Sequence, residues 1–477
     1  MKKAFLFFMT MIWWIGLTAT SCISDAVSTS PNDILTFSRD TVSFDTVFTD
    51  LGTPTARLIV ANRAKKGIVI SSIRLRNPDS NFRINVDGVS GKDFHDVEIW
   101  KEDSIFMFIE CFIPETQNKE PYRVEDELEF VTNGVTQTVL LEAYGQNVTR
   151  LKCHRITEDT RFTADLPYIV FDSLVVDKGA TLSIEPDTRL LFHDGASMII
   201  HGRIEATGAP GKLIHMRGDR LDDVLPNVSY DILAGQWEGI RISRESFNNR
   251  IEYTDMRSTA SGLRVDSCGD TSILKLRILN SWLHNSQAHA FEARYAAIEA
   301  YGVCFSEAAD AVVSLHGGKN SFIQCTIANN YLFSAISEPL LSLYHCLPDQ
   351  AESATNPNPL MEASFENSII YGLAKDLNEG DFTGSQVFFR NVSLKSGGEN
   401  DDNFIDCIWE CDPLFLTDRA KYYFNYHVLP DSPVIGMGNP QFVTGPLVTD
   451  IDGTDRLTAA AAGNTTLGAY ARPEERE

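Results

Sequence analysis

One short phrase recurs between Asn280 and Leu394. Asn280-Ser281-Trp282-Leu283 is followed by Ala300-Tyr301-Gly302-Val303, Gln324-Cys325-Thr326-Ile327, Tyr344-His345-Cys346-Leu347, Asn367-Ser368-Ile369-Ile370 and Asn391-Val392-Ser393-Leu394, at intervals of 20 to 24 residues. Each phrase reads as a short strand with an apolar residue next to a small or polar one. A single unit of this size cannot bury its apolar face alone, so a repeat in the low twenties stacks unit on unit into a solenoid. A parallel β-helix is the simplest solenoid of this kind. A leucine-rich repeat has a similar period, but its phrase shows once, at Leu274, Leu276 and Asn280, and is not sustained.

The stretch before the ladder carries the same β-rich pieces. Tyr168-Ile169-Val170, Ala180-Thr181-Leu182-Ser183-Ile184, Ser197-Met198-Ile199-Ile200 and Gly202-Arg203-Ile204 are broken by turn residues at Asp194-Gly195 and Gly208. Short apolar runs with such punctuation predict earlier coils. The solenoid is therefore expected over 166–411, with 148–165 as a polar connector and 412–477 as a capping segment. A cap is needed because open coils leave unpaired strand edges.

Residues 35–147 follow a different pattern. Alternation at Val42-Ser43-Phe44 and Phe82-Arg83-Ile84-Asn85-Val86 predicts half-buried strands, and the apolar run Ile105 to Ile113 predicts a central strand covered on both faces. Asn133-Gly134 between two apolar runs predicts a hairpin with a type I′ turn. About seven short strands in this length suit an immunoglobulin-like β-sandwich. The fold class expected is all-β: an N-terminal immunoglobulin-like sandwich, then a right-handed parallel β-helix with a C-terminal cap.

Charge narrows the partners. With 41 basic and 65 acidic side chains the net charge is −24. Nucleic acid is excluded, since phosphate binding needs a basic surface. Tight binding of a polyanion such as pectate is also disfavoured. The N-terminus carries Lys2 and Lys3, an apolar run from Ala4 to Leu17, and Thr18-Ala19-Thr20-Ser21-Cys22. That run is short for a membrane span and reads as a signal peptide over 1–21. A polar tether is expected over 22–34. Of the nine cysteines, Cys304, Cys325 and Cys346 are one coil apart and are expected to stack in the core. Cys407 and Cys411 are the expected disulfide pair. No spacing suits zinc, and no metal or cofactor is expected.

No catalytic phrase is complete. Asp401-Asp402 sits in a hydrophilic loop. Asp219-Arg220-Leu221-Asp222-Asp223 collects acids and a base in one turn-rich loop, and His316-Gly317-Gly318-Lys319 presents a histidine at a bend. Trp237, beside glycines, is a packed residue or a platform for a sugar ring. Trp237, Asp219, Arg220 and His316 are thus the candidate ligand-binding residues, with no catalytic residue named. Asn280, Gln324, Asn367 and Asn391 recur in nearly one register and are expected to form an amide ladder between coils.

Several stretches resemble known families. Small residues followed by Cys22 resemble a bacterial lipobox, with Ala19 where leucine is usual, which implies lipid attachment at Cys22 and anchoring at the outer membrane. Val42-Ser43-Phe44, Val60-Ala61-Asn62, Phe82-Arg83-Ile84, Thr132-Asn133-Gly134 and Leu141-Glu142-Ala143-Tyr144-Gly145 resemble Hydin-type immunoglobulin-like domains. Leu182-Ser183-Ile184-Glu185-Pro186, Gly202-Arg203-Ile204 and Gly235-Gln236-Trp237-Glu238-Gly239-Ile240 resemble coils of the pectate-lyase-like superfamily. Asp412-Pro413-Leu414-Phe415, the run Tyr426 to Gly438, Asp450-Ile451-Asp452-Gly453 with Arg456, and Leu467-Gly468-Ala469-Tyr470 resemble the closing segment of Bacteroidetes surface β-helix proteins. Export, this architecture and the missing catalytic phrases lead to the expectation of a surface lipoprotein that binds glycan or adheres without catalysis. A divergent polysaccharide lyase or glycoside hydrolase is the alternative, and a structural or partner-binding surface protein without a sugar ligand is a third.

Overall fold

The computed structural model describes residues 26–225, 228–350, 358–378, 380, 382–458 and 464–472. Cys22 and the segment 1–21 lie outside these residues. Two compact units divide the chain between Asn147 and Val148.

The first unit is an immunoglobulin-like sandwich of two antiparallel-rich sheets. One runs Leu35–Phe37, Ala56–Asn62, Ser104–Cys111, Phe82–Val86 and Val89–Gly91. The other places Thr41–Phe48, Val135–Gln146, Tyr122–Thr132 and Ile68–Leu75 side by side. The long hairpin turns at Asn133-Gly134, both left-handed at φ 52° and 77°, as a type I′ turn requires. Inward residues such as Val42, Leu58, Ile70, Phe82, Met107 and Phe130 form its core. The Ser104–Cys111 strand is central, but it is covered on one face only. Ile105, Met107 and Ile109 point in, while Phe106 and Phe108 point out. The tether is also ordered from Val27 onward: Val27 bridges Gly67, and Ser28 bonds the Gly67 carbonyl and Asp33.

The second unit is a right-handed parallel β-helix. A ten-stranded sheet from Thr160–Phe162 to Phe404–Ile405 makes one face. A sixteen-stranded sheet makes two more, joined through the long Tyr168–Val176 strand. Residues 148–165 are the first coil rather than a connector, since Thr149–Ile156 pairs in parallel with Tyr168–Val176 and Thr160–Phe162 with Thr181–Ile184. Strand alternation turns one residue set into a continuous apolar interior. Phe322, Phe365, Phe389 and Phe404 stack along it with ring centroids 4.7–5.0 Å apart.

The recurring phrase marks a corner. Asn280, Gly302, Gln324, Asn367 and Asn391 follow successive strands of the ten-stranded face and all have positive φ, between 43° and 66°. Asparagine and glycine tolerate this left-handed geometry better than other residues. The Tyr344 phrase belongs elsewhere, because Leu341–Tyr344 pairs with Val313–His316 on another face. The amides form one rung between coils, with Asn367 Nδ2 donating to the Gln324 oxygen at 3.1 Å in the orientation that satisfies Gln324, and otherwise reach Tyr253 and the capping segment. Asn280 Nδ2 donates to Tyr253 Oη at 2.9 Å and to the Thr449 carbonyl at 3.0 Å, and Asn367 Nδ2 donates to the Asn439 carbonyl at 2.8 Å. Gln324 reaches the Gly468 and Thr466 carbonyls in the amide orientation that satisfies both its ends. The serines also bridge the coils: Ser281 Oγ accepts from Thr254 N, and Ser368 Oγ accepts from Cys325 N.

These amide partners show where the capping segment lies. It runs along the flank of the helix, across several coils. Arg456 is wholly buried and donates to the Gly468 and Ala469 carbonyls at 3.1 and 2.7 Å. A second apolar layer, with Cys304, Ile369, Phe415, Tyr426, Val434 and Leu467, seals segment to helix. The cysteine expectations fail for the same reason. Cys325 and Cys407 face the coil interior, whereas Cys304 and Cys411 face the capping segment. Cys304, Cys325 and Cys346 therefore do not stack, and Cys407 and Cys411 are separate free thiols. Cys407 Sγ is turned to the Phe389 carbonyl at 3.2 Å.

Candidate functional site

On the strands Ile214–Gly218, Thr254–Thr259, Trp282–Ser286 and Cys304–Ala308, alternation sends Met216, Met256, Leu283 and Phe305 inward. It leaves His215, Arg217, Asp255, Arg257, Trp282, His284 and Ser306 on the outer face. Parallel register aligns His215 with Asp255, Asp255 with Trp282, Arg257 with His284, and His284 with Ser306. The next residues along, Ser258, Asn285 and Glu307, are all left-handed at φ 66°, 60° and 46°. A left-handed residue breaks the alternation, much as a bulge does, and re-aims its side chain. Non-glycine residues held in this region store backbone strain, which tends to collect at functional sites.

The outer face carries a network of fixed charges. Asp255 accepts from Arg257 Nε at 3.0 Å, His284 Nε2 at 3.0 Å and His215 Nδ1 at 3.3 Å. Asp231, from the Tyr230–Ile232 turn, accepts from Arg257 at 2.9 Å and Arg217 at 3.1 Å. Asn285 Nδ2 and Ser258 Oγ both donate to the Asp231 carbonyl at 2.6 Å. Burial works to raise the Asp255 carboxyl pKa, but Arg257 and the two imidazoles outweigh it and hold it well below the usual range. Asp231 is lowered in the same way, chiefly by Arg257 and Arg217 against burial. Burial and Arg257 lower His284, which is therefore a neutral imidazole at pH 7.

Above this floor is a pocket with a cavity volume of about 140 Å³. Its walls are Trp282, Tyr331 and Phe333 on the helix side and Tyr422 and Phe424 on the capping hairpin Phe415–Asp418/Tyr423–Val428. Trp282 stacks on His284 at 4.0 Å and donates from Nε1 to Ser306 Oγ at 3.1 Å. Glu307 lines the pocket while only 5 % exposed. Its Oε1 accepts from Tyr426 Oη, and its Oε2 has no hydrogen-bond partner of ordinary geometry. Burial pushes the Glu307 pKa up to about 7, with Ser306, Tyr426 and the Asn330 backbone opposing.

The paired carboxylates predict an acid response. A carboxylate whose folded pKa is depressed stabilises the fold above its unfolded value of about 4. That stability disappears as pH falls through the folded value. Asp255→Asn is therefore expected to flatten the loss of thermal midpoint below pH 4, measured against the wild type.

The residues singled out in sequence sit elsewhere. Trp237 is fully buried, stacked on Phe192 at 3.9 Å, and donates from Nε1 to the Arg257 carbonyl at 2.8 Å, so it is a core residue and not a platform. Asp219 bonds His193 Nδ1 at 2.7 Å. Arg220 pairs with Asp222 through two contacts of 2.6 Å and covers the Tyr230 ring at 4.0 Å. These partners fold the insertion that delivers Asp231. His316 lies on another face, buried, stacked on Tyr344 and bonded to Ser314 at 3.0 Å, with burial pushing its pKa down to about 4. Trp237, Asp219, Arg220 and His316 are not among the residues lining the pocket. Among the described residues no acidic, histidine or cysteine cluster could hold a metal ion.

No family model matches this chain, and no curated protein matches it. Among solved structures, a family 123 glycoside hydrolase from Clostridium perfringens is 12% identical over 24% of this chain and 26% of that one, with a TM-score of 0.17. The Vibrio cholerae VesB protease is 11% identical over 24% of this chain and 31% of that one, also at 0.17. Both matches span well under two thirds of the relative's length. Likeness at this level carries no argument about fold or function.

Proposed function

We propose that this protein is a Bacteroidetes-type surface lipoprotein, exported and tethered through lipid at Cys22, that binds glycan without catalysis. The observation that carries this reading is the pocket itself. Aromatic walls suit the apolar face of a sugar ring, and the floor offers fixed polar groups. Its volume, below the roughly 300–1,000 Å³ of drug-sized sites, fits one sugar unit or a chain end. The sequence supports the tether through the small residues before Cys22. The pectate-lyase-like coils and the Hydin-type sandwich suit a surface role. Among the described residues no helix is long and apolar enough to cross a membrane.

Tyr422 and Phe333 test the reading because both are substantially exposed. Tyr422→Ala and Phe333→Ala are each expected to weaken glycan binding roughly three- to tenfold, the size of one lost aromatic contact, with little change in thermal midpoint. Titration calorimetry after a glycan-array screen checks this. Binding unchanged in both variants, or no ligand across neutral and acidic polysaccharides, rejects it.

One observation favours hydrolysis as a second reading. Glu307, with its raised pKa, shares the pocket with the ionised Asp231, and glycosidases commonly divide acid and base roles in this manner. Asp231 is held by two arginines and is correspondingly weak as a base, which is why binding is preferred. New reducing ends on incubation with the bound glycan decide for hydrolysis.

A further inference from the structure

Glu307 is the one pocket group whose charge state the floor does not fix. From its own strand it is faced by Cys304 and Ser306, and from the neighbouring strands by His284 and Arg257. Tyr331 from the loop after Thr326–Asn329, Tyr422 beside the capping hairpin and Asp231 from the insertion line the same pocket, and Tyr426 donates to Glu307 from the capping hairpin. Cys304 and Tyr426 are held neutral, since burial pushes both well above their ordinary values. Asp231 and Asp255 take up the charges of Arg217 and Arg257, so among the described residues no cation lining the pocket is left to balance a second anion.

A buried carboxyl in that setting keeps its proton. One oxygen already accepts from Tyr426, and the other is enclosed beside the Ser306 hydroxyl and the Asn330 N–H without a hydrogen bond of ordinary geometry. A buried polar atom without a partner costs free energy that a ligand atom can recover. We propose that Glu307 acts as a neutral carboxylic acid whose free oxygen donates a hydrogen bond to an acceptor oxygen of an uncharged sugar seated between Trp282 and the capping hairpin. The site accordingly selects neutral over anionic glycans. This rests on the reading of the pocket as a glycan site. A uronate or sulfate would enter a space whose described arginines are already paired with Asp231 and Asp255.

The sign of the pH dependence follows. Only the protonated form donates, so affinity is constant on the acid side and falls as pH rises through the Glu307 value. The limiting slope is tenfold per pH unit. The same proton affects stability. A raised folded pKa favours the fold below the unfolded value of about 4.3, and the gain is lost as pH rises through the folded value. Glu307→Gln stays neutral at every pH, keeps an acceptor for Tyr426 and retains a donor for the ligand.

The experiment compares wild type and Glu307→Gln on arrays of neutral and acidic oligosaccharides at pH 6 and 8.5, with thermal midpoints at pH 4.5 and 8. Wild type is expected to bind neutral glycans and lose at least tenfold in affinity at the higher pH. The variant should bind equally at both, and its midpoint relative to wild type should be higher at pH 8 than at pH 4.5. Wild-type binding that is independent of pH, or a preference for acidic glycans, overturns the proposal while leaving the glycan site intact. Binding to nothing on the array at either pH overturns both. If the variant's relative midpoint does not change with pH, Glu307 is not protonated in the fold, and the proposal fails without reference to any ligand.

Discussion

Arg456→Met is expected to cost the 148–477 unit about 3–5 kcal/mol, the range for removing one member of a buried charged network. Arg456 is enclosed completely, and burial lowers its pKa to about 10. It stays protonated at neutral pH because Asp450 lies near and the Gly468 and Ala469 carbonyls accept from it. Methionine fills much of the volume but removes the donor to the Ala469 carbonyl and leaves the Gly468 carbonyl with Gln324 alone. Asp450 would also lose its compensating charge, although it keeps bonds from the Asp452, Thr454 and Ala471 backbone. Scanning calorimetry should show a clear fall in midpoint, and limited proteolysis should cut the C-terminal segment first. A midpoint within a degree of wild type would mean that the segment is held by its apolar layer alone.

The second large effect is expected at Trp237. Trp237→Ala removes the largest wholly buried side chain among the described residues, opens a cavity against Phe192, and leaves the Arg257 carbonyl without its donor. Losses for Trp→Ala in cores run about 3–5 kcal/mol. The readout that separates this from a binding role is glycan affinity below the variant's midpoint, which should remain within about threefold of wild type. A tenfold or greater loss of affinity in a variant of unchanged midpoint would restore Trp237 as a ligand platform.

The architecture was legible because period and alternation are written in the residues. The Asn133-Gly134 hairpin and the repeat at Asn280, Gln324, Asn367 and Asn391 each express a backbone requirement that few residue types meet. The coil corner was visible, although its cause was misassigned: left-handed geometry selects asparagine there, and the amides then bind the capping segment. The site was far less legible. Trp282 lies in the recurring phrase, but Arg257, His284 and Glu307 lie on different coils, and only parallel register makes them neighbours. Aligning Asp255-Met256-Arg257 with Trp282-Leu283-His284 would have exposed the polar column. Nothing local marks Glu307, which points outward because its φ is positive. The acidic loop at Asp219 to Asp223 was noticed for its charges, while its structural use is to carry Asp231, eight residues beyond Asp223.

A solenoid held by neighbour contacts alone can be completed coil by coil as the chain emerges, and can lose its last coil without harm to the first. The capping segment removes that freedom here. Thr449 returns to Asn280 and Tyr253, Gly453 packs on Pro210, and Tyr426 closes on Glu307. The pocket therefore cannot form on a growing chain until Tyr422 and Phe424 have been made, long after Trp282. Assembly must wait for contacts of long sequence separation, which is slow, and a chain cut short before Tyr422 would keep its coils yet present an open, aromatic-lined flank. Formation of the pocket is thereby coupled to docking of the capping segment.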